Sequence, residues 1–268
     1  MTAALLPSTP SDPVPLSAHG RFWGLVPCAG MGLRAVAAPA AGTVPAPSLP
    51  KQYHLVAGQP MVLHTLRALM AVPGVTSLSV VVSPDDTRMA ALLAAEPALA
   101  RVRVHAVGGA TRAASVTGGL QALRDQGAAD TDWVLVHDAA RCLVQPEWIG
   151  HLIQCCRQDP VGGLLAVPLP DTLKQADADG RVQATWPRAD KWLAQTPQMF
   201  RLGELWRALR QAGDPVTDEA SAMEAMGFKP LLVRGHALNF KVTYAEDLSL
   251  AEWVLAARSQ NDPGGKTA

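Results

Sequence analysis

Only four cysteines occur in 268 residues, and Cys28, Cys142, Cys155 and Cys156 include no C-x-x-C pair. That excludes a disulfide framework or a zinc motif in a chain this long and points to a reducing cytosol. A net charge is also missing, with 23 Lys+Arg against 23 Asp+Glu. No global field therefore favours nucleic acid or an anionic membrane, and any phosphate must be held by locally placed cations. No run of about 18 apolar residues is present to span a bilayer. The N-terminus (MTAALLPSTPSDPVPLSAHG) lacks a cationic region followed by an apolar core, so it does not read as a secretory signal. It reads instead, over residues 1–20, as a flexible tail, as does the C-terminal SQNDPGGKTA. There is no internal repeat, and the seven tryptophans are scattered without a cofactor pattern.

What is present is a 49% apolar chain in which short β-branched runs alternate with helical patterns. That alternation predicts βαβ units and a mostly parallel sheet with helices on both faces. The runs are Phe22–Val26, Leu78–Ser83, Arg101–Val107 and Trp133–Asp138, with helices over Pro60–Met70, from Pro84 through Leu93, and over Ala114–Leu123. Further along come a helix at about 146–157, the helix TDEASAMEAMG, the strand KPLLVRG and a closing helix over Ala245–Arg258. Between about 168 and 195 the core pattern fails, and Asp179-Gly180 reads as a hairpin turn. This stretch is expected to be an exposed arm that needs a partner surface.

Three strands end in polar or glycine-rich sequence: CAGMGLR, GGATR and HDAAR. Ligands of open α/β sheets collect at such strand ends, so a common site is expected there. Gly30-x-Gly32 follows a strand and can turn backbone amides toward an anion. It is neither a dinucleotide fingerprint, because position 35 is Ala35, nor a Walker loop, because G-K-[ST] is absent. Arg34 beside it, and Lys51 in LPKQY with apolar flanks Leu49, Pro50, Tyr53 and Leu55, are the candidate phosphate cations. Gly108 and Gly109 with Ser115 read either as a capped loop-to-helix turn or as a pocket for a base edge. Asp138, closing a buried run, is either ion-paired with Arg141 or a magnesium ligand, since Mg²⁺ takes one or two carboxylates plus phosphates. His137 is read as a packed core residue. Thr217-Asp218-Glu219 is read as a helix start whose acids complement the dipole, and Asp247 as a cap.

Taken jointly, PCAGMGLR, PKQY, HTL, GGATRAASVTGGL, VHDAAR, PLPDTLK, AQTPQMF, TDEASAMEAMG and NFKVT-x-x-EDL-x-LAE resemble the 2-C-methyl-D-erythritol 4-phosphate cytidylyltransferases of the non-mevalonate isoprenoid pathway. The motifs run in order from about Pro27 to Glu252. The resemblance implies one Rossmann-like nucleotidyltransferase domain over 21–258, a cytoplasmic homodimer whose β-arms cross to the neighbour's site, and Mg²⁺ as cofactor. It implies CTP and methylerythritol phosphate as substrates, with transfer to ribitol 5-phosphate or another polyol phosphate as the nearest alternative. Pro27, Cys28, Ala29, Gly30, Gly32, Gly109, Ser115, Asp138 and Ala139 are thereby expected to bind CTP, and Arg34 and Lys51 to stabilise the charged α-phosphorus. Asp138 is expected to ligate the metal. Thr172 and Arg188 on the arm, with Thr217 and Lys241, are expected to position the acceptor phosphate. The sequence departs from the family at Cys28, at Cys142, at Leu238 and in the detour VAAPAAGTVPAPS between Arg34 and Lys51, read as an inert insertion.

Overall fold

The computed structural model describes residues 20–30, 49–212 and 216–261. The detour, Gly32 and Arg34, and the tail expected over 1–20 apart from Gly20, lie outside the described residues.

The run FWGLVP forms β1 (Phe22–Pro27), every residue of which is buried or nearly so. Its side chains alternate as a strand requires: Phe22 and Val26 enter one apolar cluster, Trp23 and Leu25 the other. A sheet buried on both faces needs helices on both, and the chain supplies them. A short 3-10 turn (Lys51–Tyr53) and a minimal hairpin of β2 (Leu55–Val56) and β3 (Gln59–Pro60) lead into α1 (Met61–Met70). Then follow β4 (Val75–Val81), α2 (Met89–Ala94), β5 (Val102–His105), α3 (Arg112–Asp125), β6 (Trp133–Val136) and α4 (Pro146–Cys156). The second half holds β7 (Gly162–Pro168), β8 (Leu173–Ala176), β9 (Val182–Trp186), β10 (Trp192–Arg201), α5 (Leu202–Ala212), α6 (Glu219–Ala225), β11 (Leu231–Arg234) and α7 (Ala245–Asn261).

The main sheet has seven strands in the order β11-β7-β10-β6-β1-β4-β5. Only β10 runs antiparallel to its neighbours, pairing with β6 and β7, which bears out the mostly parallel expectation. From β1 the chain moves outward through β4 to β5, then returns to place β6 on the other side of β1. That reversal opens a crevice beyond the C-terminal ends of β1 and β6, the switch point of an open α/β sheet. One face is packed by Leu63, Leu66 and Leu69 of α1 with Ile149 and Leu152 of α4. The other takes Val116 and Leu120 of α3 and Leu205 and Ala208 of α5. Gly119 lets α3 lie close on β1 and β4, because a Cβ there would meet Leu25 Cδ1 and Val81 Cγ2 at 2.7 Å each. A third small cluster of Val56, Met61, Cys142, Leu143, Val242 and Ala251 seats α7.

The exposed hairpin is present: β8 and β9 pair antiparallel away from the main sheet, with Val182 and Trp186 in the open and Gly180 at positive φ in the turn. Several boundaries differ from the sequence expectation. The second helix starts at Met89 rather than Pro84, because the Asp86 carboxylate accepts the backbone N–H groups of Arg88 and Met89 and sets the start there. The Trp133 run stops pairing at Val136, leaving Asp138 in the following loop rather than on a strand. The closing helix continues through Asn261, into the stretch expected to be tail.

Candidate active site

A cavity of about 530 Å³ lies at the switch point. Its walls come from the end of β1 (Pro27, Cys28, Ala29, Gly30), from Lys51 and Gln52, from Gly109–Arg112 with Ser115, from Asp138–Ala140, and from Lys241 and Thr243. The strand-end motifs CAG, GGATR and HDAAR thus meet in one place, joined by PKQY and NFK.

Each wall is fixed by contacts that the motifs themselves provide. The β1 turn is tied to β4 by the Cys28 amide on the Val81 carbonyl, 2.6 Å. Gln52, buried, donates its side-chain amide to the Cys28 carbonyl at 2.7 Å. Tyr53 donates its hydroxyl to Asp86 at 2.5 Å. These two anchors, one on each residue after Lys51, hold the short turn that presents Lys51 to the cavity. The expected apolar clamp is only partial: Tyr53 is buried, but Leu49 and Leu55 are exposed. Across the cavity, Gly108 allows the β5–α3 loop to pass beneath the β1 turn; a Cβ there would meet Ala29 Cβ at 2.3 Å and the Val82 carbonyl oxygen at 2.7 Å. The Ser115 hydroxyl donates to the Thr111 carbonyl at 3.0 Å and accepts the Gly109 amide at 3.1 Å. It therefore braces the glycine loop from within, while Thr111 caps α3.

Asp138 is the electrostatic centre. Its Oδ1 accepts from Arg112 Nε at 3.0 Å, and its Oδ2 from Lys241 Nζ at 2.7 Å. Burial opposes ionisation, yet Arg112 and Lys241 outweigh it and hold the carboxyl well below the usual range. Of the two readings of Asp138, the ion pair with Arg141 is not observed. Arg141 instead donates to the carbonyls of Asn239 (2.7 Å) and Ala194 (3.1 Å), tying the HDAAR loop to the NFK loop and to β10. The Asp138 amide donates to Thr196 Oγ1 at 3.0 Å, and that hydroxyl lies 3.1 Å from His137 Nδ1. His137 Nε2 faces the Arg141 carbonyl at 3.2 Å, so the ring proton sits on Nε2 and the threonine donates to Nδ1. Burial pulls His137 down to about 4, so it is a neutral core residue as expected. From the other side, Thr65 of the HTL motif donates to the Ala139 carbonyl at 3.0 Å.

Three cations (Lys51, Arg112 and Lys241) and one carboxylate facing a glycine turn make a receptacle for a polyanion. Among the described residues no three His, Cys, Asp or Glu side chains gather as a preformed metal site. A single hard carboxylate is the donor set expected for a divalent cation that arrives already bound by phosphates. The side chain of Lys241, 43% exposed, is free to yield Oδ2 toward solvent, whereas Arg112 is held.

The family sequence model described as "IspD: 2-C-methyl-D-erythritol 4-phosphate cytidylyltransferase" matches residues 24–257. This chain belongs to the 2-C-methyl-D-erythritol 4-phosphate cytidylyltransferase family. It is 52% identical over 237 residues to a relative of that name from Chromobacterium violaceum, covering 88% of this chain and 98% of the relative. It is 57% identical over 261 residues to a bifunctional enzyme IspD/IspF of Albidiferax ferrireducens; that match takes in 97% of this chain and 57% of the relative, so the chain spans little more than half of it. A crystal structure of a 4-diphosphocytidyl-2C-methyl-D-erythritol synthase superposes with a TM-score of 0.75 at 38% identity, covering 88% of this chain and 99% of that one.

Within this family fold, Pro27, Cys28, Ala29, Gly30, Lys51, Gly109, Ser115, Asp138, Ala139 and Lys241 converge on the cavity. Thr217 does not line it: it lies exposed just before α6, beside Ser221. Thr172 and Arg188 stand on the exposed arm, where Arg188 donates to the Pro170 carbonyl of the same chain. The sequence reading missed Arg112, Gln52, Thr65, Thr196 and Glu219. Each sits inside a motif that was singled out, but none carries a local signal for its partner.

Proposed function

We propose that the chain transfers the cytidylyl group of CTP to 2-C-methyl-D-erythritol 4-phosphate, giving 4-diphosphocytidyl-2-C-methyl-D-erythritol and pyrophosphate. The observation that carries this reading is the convergence of the β1 turn, Lys51, Asp138 and Lys241 on one cavity at the switch point. An oxygen of the acceptor phosphate bonds to the α-phosphorus of CTP, and the bond from that phosphorus to the bridging oxygen breaks as pyrophosphate leaves. The second pKa of a phosphate monoester is about 6, so the nucleophile is already dianionic near neutrality and no general base is required. Catalysis then reduces to aligning two anions and neutralising the charge that grows between them.

In this reading the Gly109–Ser115 loop takes cytosine and ribose, and the β1 turn at Gly30, with Gly32 of the same motif, takes the triphosphate. Lys51, with Arg34, offsets charge on the α-phosphoryl oxygens. Lys241 meets the acceptor phosphate. Asp138 would hold Mg²⁺, which would supply charge neutralisation for the phosphates. Glu219 is no ligand: it is fully buried and both its oxygens are taken by Arg112. The exposed arm, with Val182 and Trp186 uncovered, fits a homodimer in which Thr172 and Arg188 serve the neighbour's site. Four free cysteines fit a cytoplasmic setting, and among the described residues no helix is long and apolar enough to cross a membrane.

Pyrophosphate release measured with CTP and a panel of polyol phosphates tests the proposal. Turnover with methylerythritol phosphate is expected; turnover with ribitol 5-phosphate alone would overturn it.

A further inference from the structure

Glu219 has no side-chain exposure, and its carboxylate sits at the start of α6, where a helix-dipole acid would be solvent-facing. Its Oε1 accepts from Arg112 Nη1 at 2.6 Å and its Oε2 from Arg112 Nη2 at 3.0 Å, a bidentate fork. The same guanidinium reaches Asp138 Oδ1 with Nε at 3.0 Å and Nη2 at 2.9 Å. One planar cation is thus clamped between two carboxylates that are 107 and 26 residues away in sequence. Burying a carboxylate this deeply is costly unless it is paired and hydrogen-bonded. The dipole alone gives no reason to bury it.

The platform under Glu219 is equally fixed. Asp218 caps α6 in a reciprocal box with Ser221, and it also accepts the Gln198 side-chain amide at 2.8 Å. Gln198 Oε1 in turn accepts the Ala220 amide at 2.7 Å, locking the first turn of α6 to β10. Glu219 is therefore a rigid anchor, Arg112 a rigid strut, and Asp138 the group they aim.

We propose that Glu219 is a positioning residue for the cytidylyl transfer, acting through Arg112 to hold Asp138 Oδ1 so that only Oδ2 is left open to the cavity. The inference rests on the cytidylyltransferase reading and adds a residue pair to it. Lys241 leaves Oδ2 without disturbing the carboxylate's plane, because Arg112 keeps its grip through the opposite oxygen. Removal of the Glu219 charge frees the guanidinium to rotate away, and Asp138 then loses its fixed orientation.

The test is a double-mutant cycle. Values of kcat/KM for CTP are measured with radiolabelled nucleotide, so that slow variants stay measurable, for the full chain, Glu219→Gln, Asp138→Asn and the double variant. Glu219→Gln is expected to lower kcat/KM about tenfold or more, as outer-sphere orienting partners typically do. In the Asp138→Asn background the same change should cost less than about twofold, because coupling through one shared partner is non-additive. Arg112→Lys, which keeps the charge but cannot bridge two carboxylates, should repeat the pattern and serves if Glu219→Gln does not fold. An equal loss in both backgrounds, or no loss in either, would overturn the inference and leave Glu219 a structural ion pair. Absence of any CTP turnover by the unaltered chain would instead sink the functional reading beneath it.

Discussion

Asp138→Asn perturbs the site at its electrostatic centre with almost no change of shape. The carboxylate side chain is 11% exposed and meets Lys241 at 2.7 Å and Arg112 at 2.9 Å. At 2.7 Å a unit charge pair is worth about 1.5 kcal/mol at the dielectric of water and about 6 kcal/mol at an effective constant near 20. The side chain of Lys241 is 43% exposed and swings toward water when its partner is neutralised, so the lower figure applies to that arm. Arg112 keeps Glu219 and a neutral acceptor in the asparagine, which limits its loss. A net destabilisation of about 1–3 kcal/mol follows, smaller than the roughly 3–5 kcal/mol of a fully buried pair broken on one side.

The pH dependence sharpens the prediction. The folded carboxyl is depressed relative to the unfolded one, so its contribution is fully present above the unfolded value and is lost as pH falls toward the folded value. Urea denaturation should give a constant gap between the unaltered chain and Asp138→Asn from pH 5 to 8. Below about pH 3.9 the gap should shrink by about 1.4 kcal/mol per pH unit, reaching a loss of about 1 kcal/mol near pH 3. A gap that persists undiminished to pH 3, or no gap at neutrality, would refute the assignment of Asp138 as a charged carboxylate paired with Arg112 and Lys241.

Other perturbations probe separate walls of the cavity. Lys51→Ala should lower kcat by about 100-fold or more while CTP affinity by calorimetry changes less than about fivefold, the mark of a group acting mainly on developing charge; parallel losses would make it a binding charge only. Gly108→Ala places a methyl against Ala29 and the Val82 carbonyl, so the glycine loop must shift; a stability loss of about 1–3 kcal/mol with a raised KM for CTP is expected from overpacking. Mixing the impaired Arg188→Ala and Asp138→Asn variants should raise activity to about a quarter of the full value if arms are exchanged in a two-fold dimer, since one site in each mixed pair is whole. No recovery after mixing would place Arg188 outside the neighbour's site.

The sheet was legible because its strands are buried on both faces. The runs at β1 and β6 carry no polar side chain and β4 is buried from Leu78 to Val81, and the loss of that pattern after 168 marks the exposed hairpin. The site was legible in outline because CAG and HDAAR sit where an apolar run ends and GGATR where the alternating run Arg101–Val107 meets two glycines. Its wiring was not. Arg141 is three residues from Asp138 and was the natural partner by proximity, yet its guanidinium turns to carbonyls of β10 and the NFK loop. The true partners, Arg112 and Lys241, come 26 residues before and 103 residues after. Glu219 read as a dipole-complementing acid because its helix position is ordinary; only the Arg112 fork and the tie of the first turn of α6 to Gln198 of β10 turn it inward. Gln52 gave no sign of its role because a hydrogen bond to a carbonyl 24 residues away leaves no periodic trace. The start of α2 was misplaced for a similar reason: Asp86 accepts the Arg88 and Met89 amides and the Tyr53 hydroxyl from the loop before the helix.

The central claim is that CTP occupies the crevice between β1 and β6. A crystal structure of the chain with CTP and magnesium tests it most directly. The account predicts cytosine against Gly109 and Ser115 and the triphosphate between Lys51 and Asp138, with Lys241 displaced from Oδ2 and Arg112 still bridging Asp138 and Glu219. Nucleotide bound elsewhere, or Asp138 still paired with Lys241 and remote from the phosphates, would contradict it.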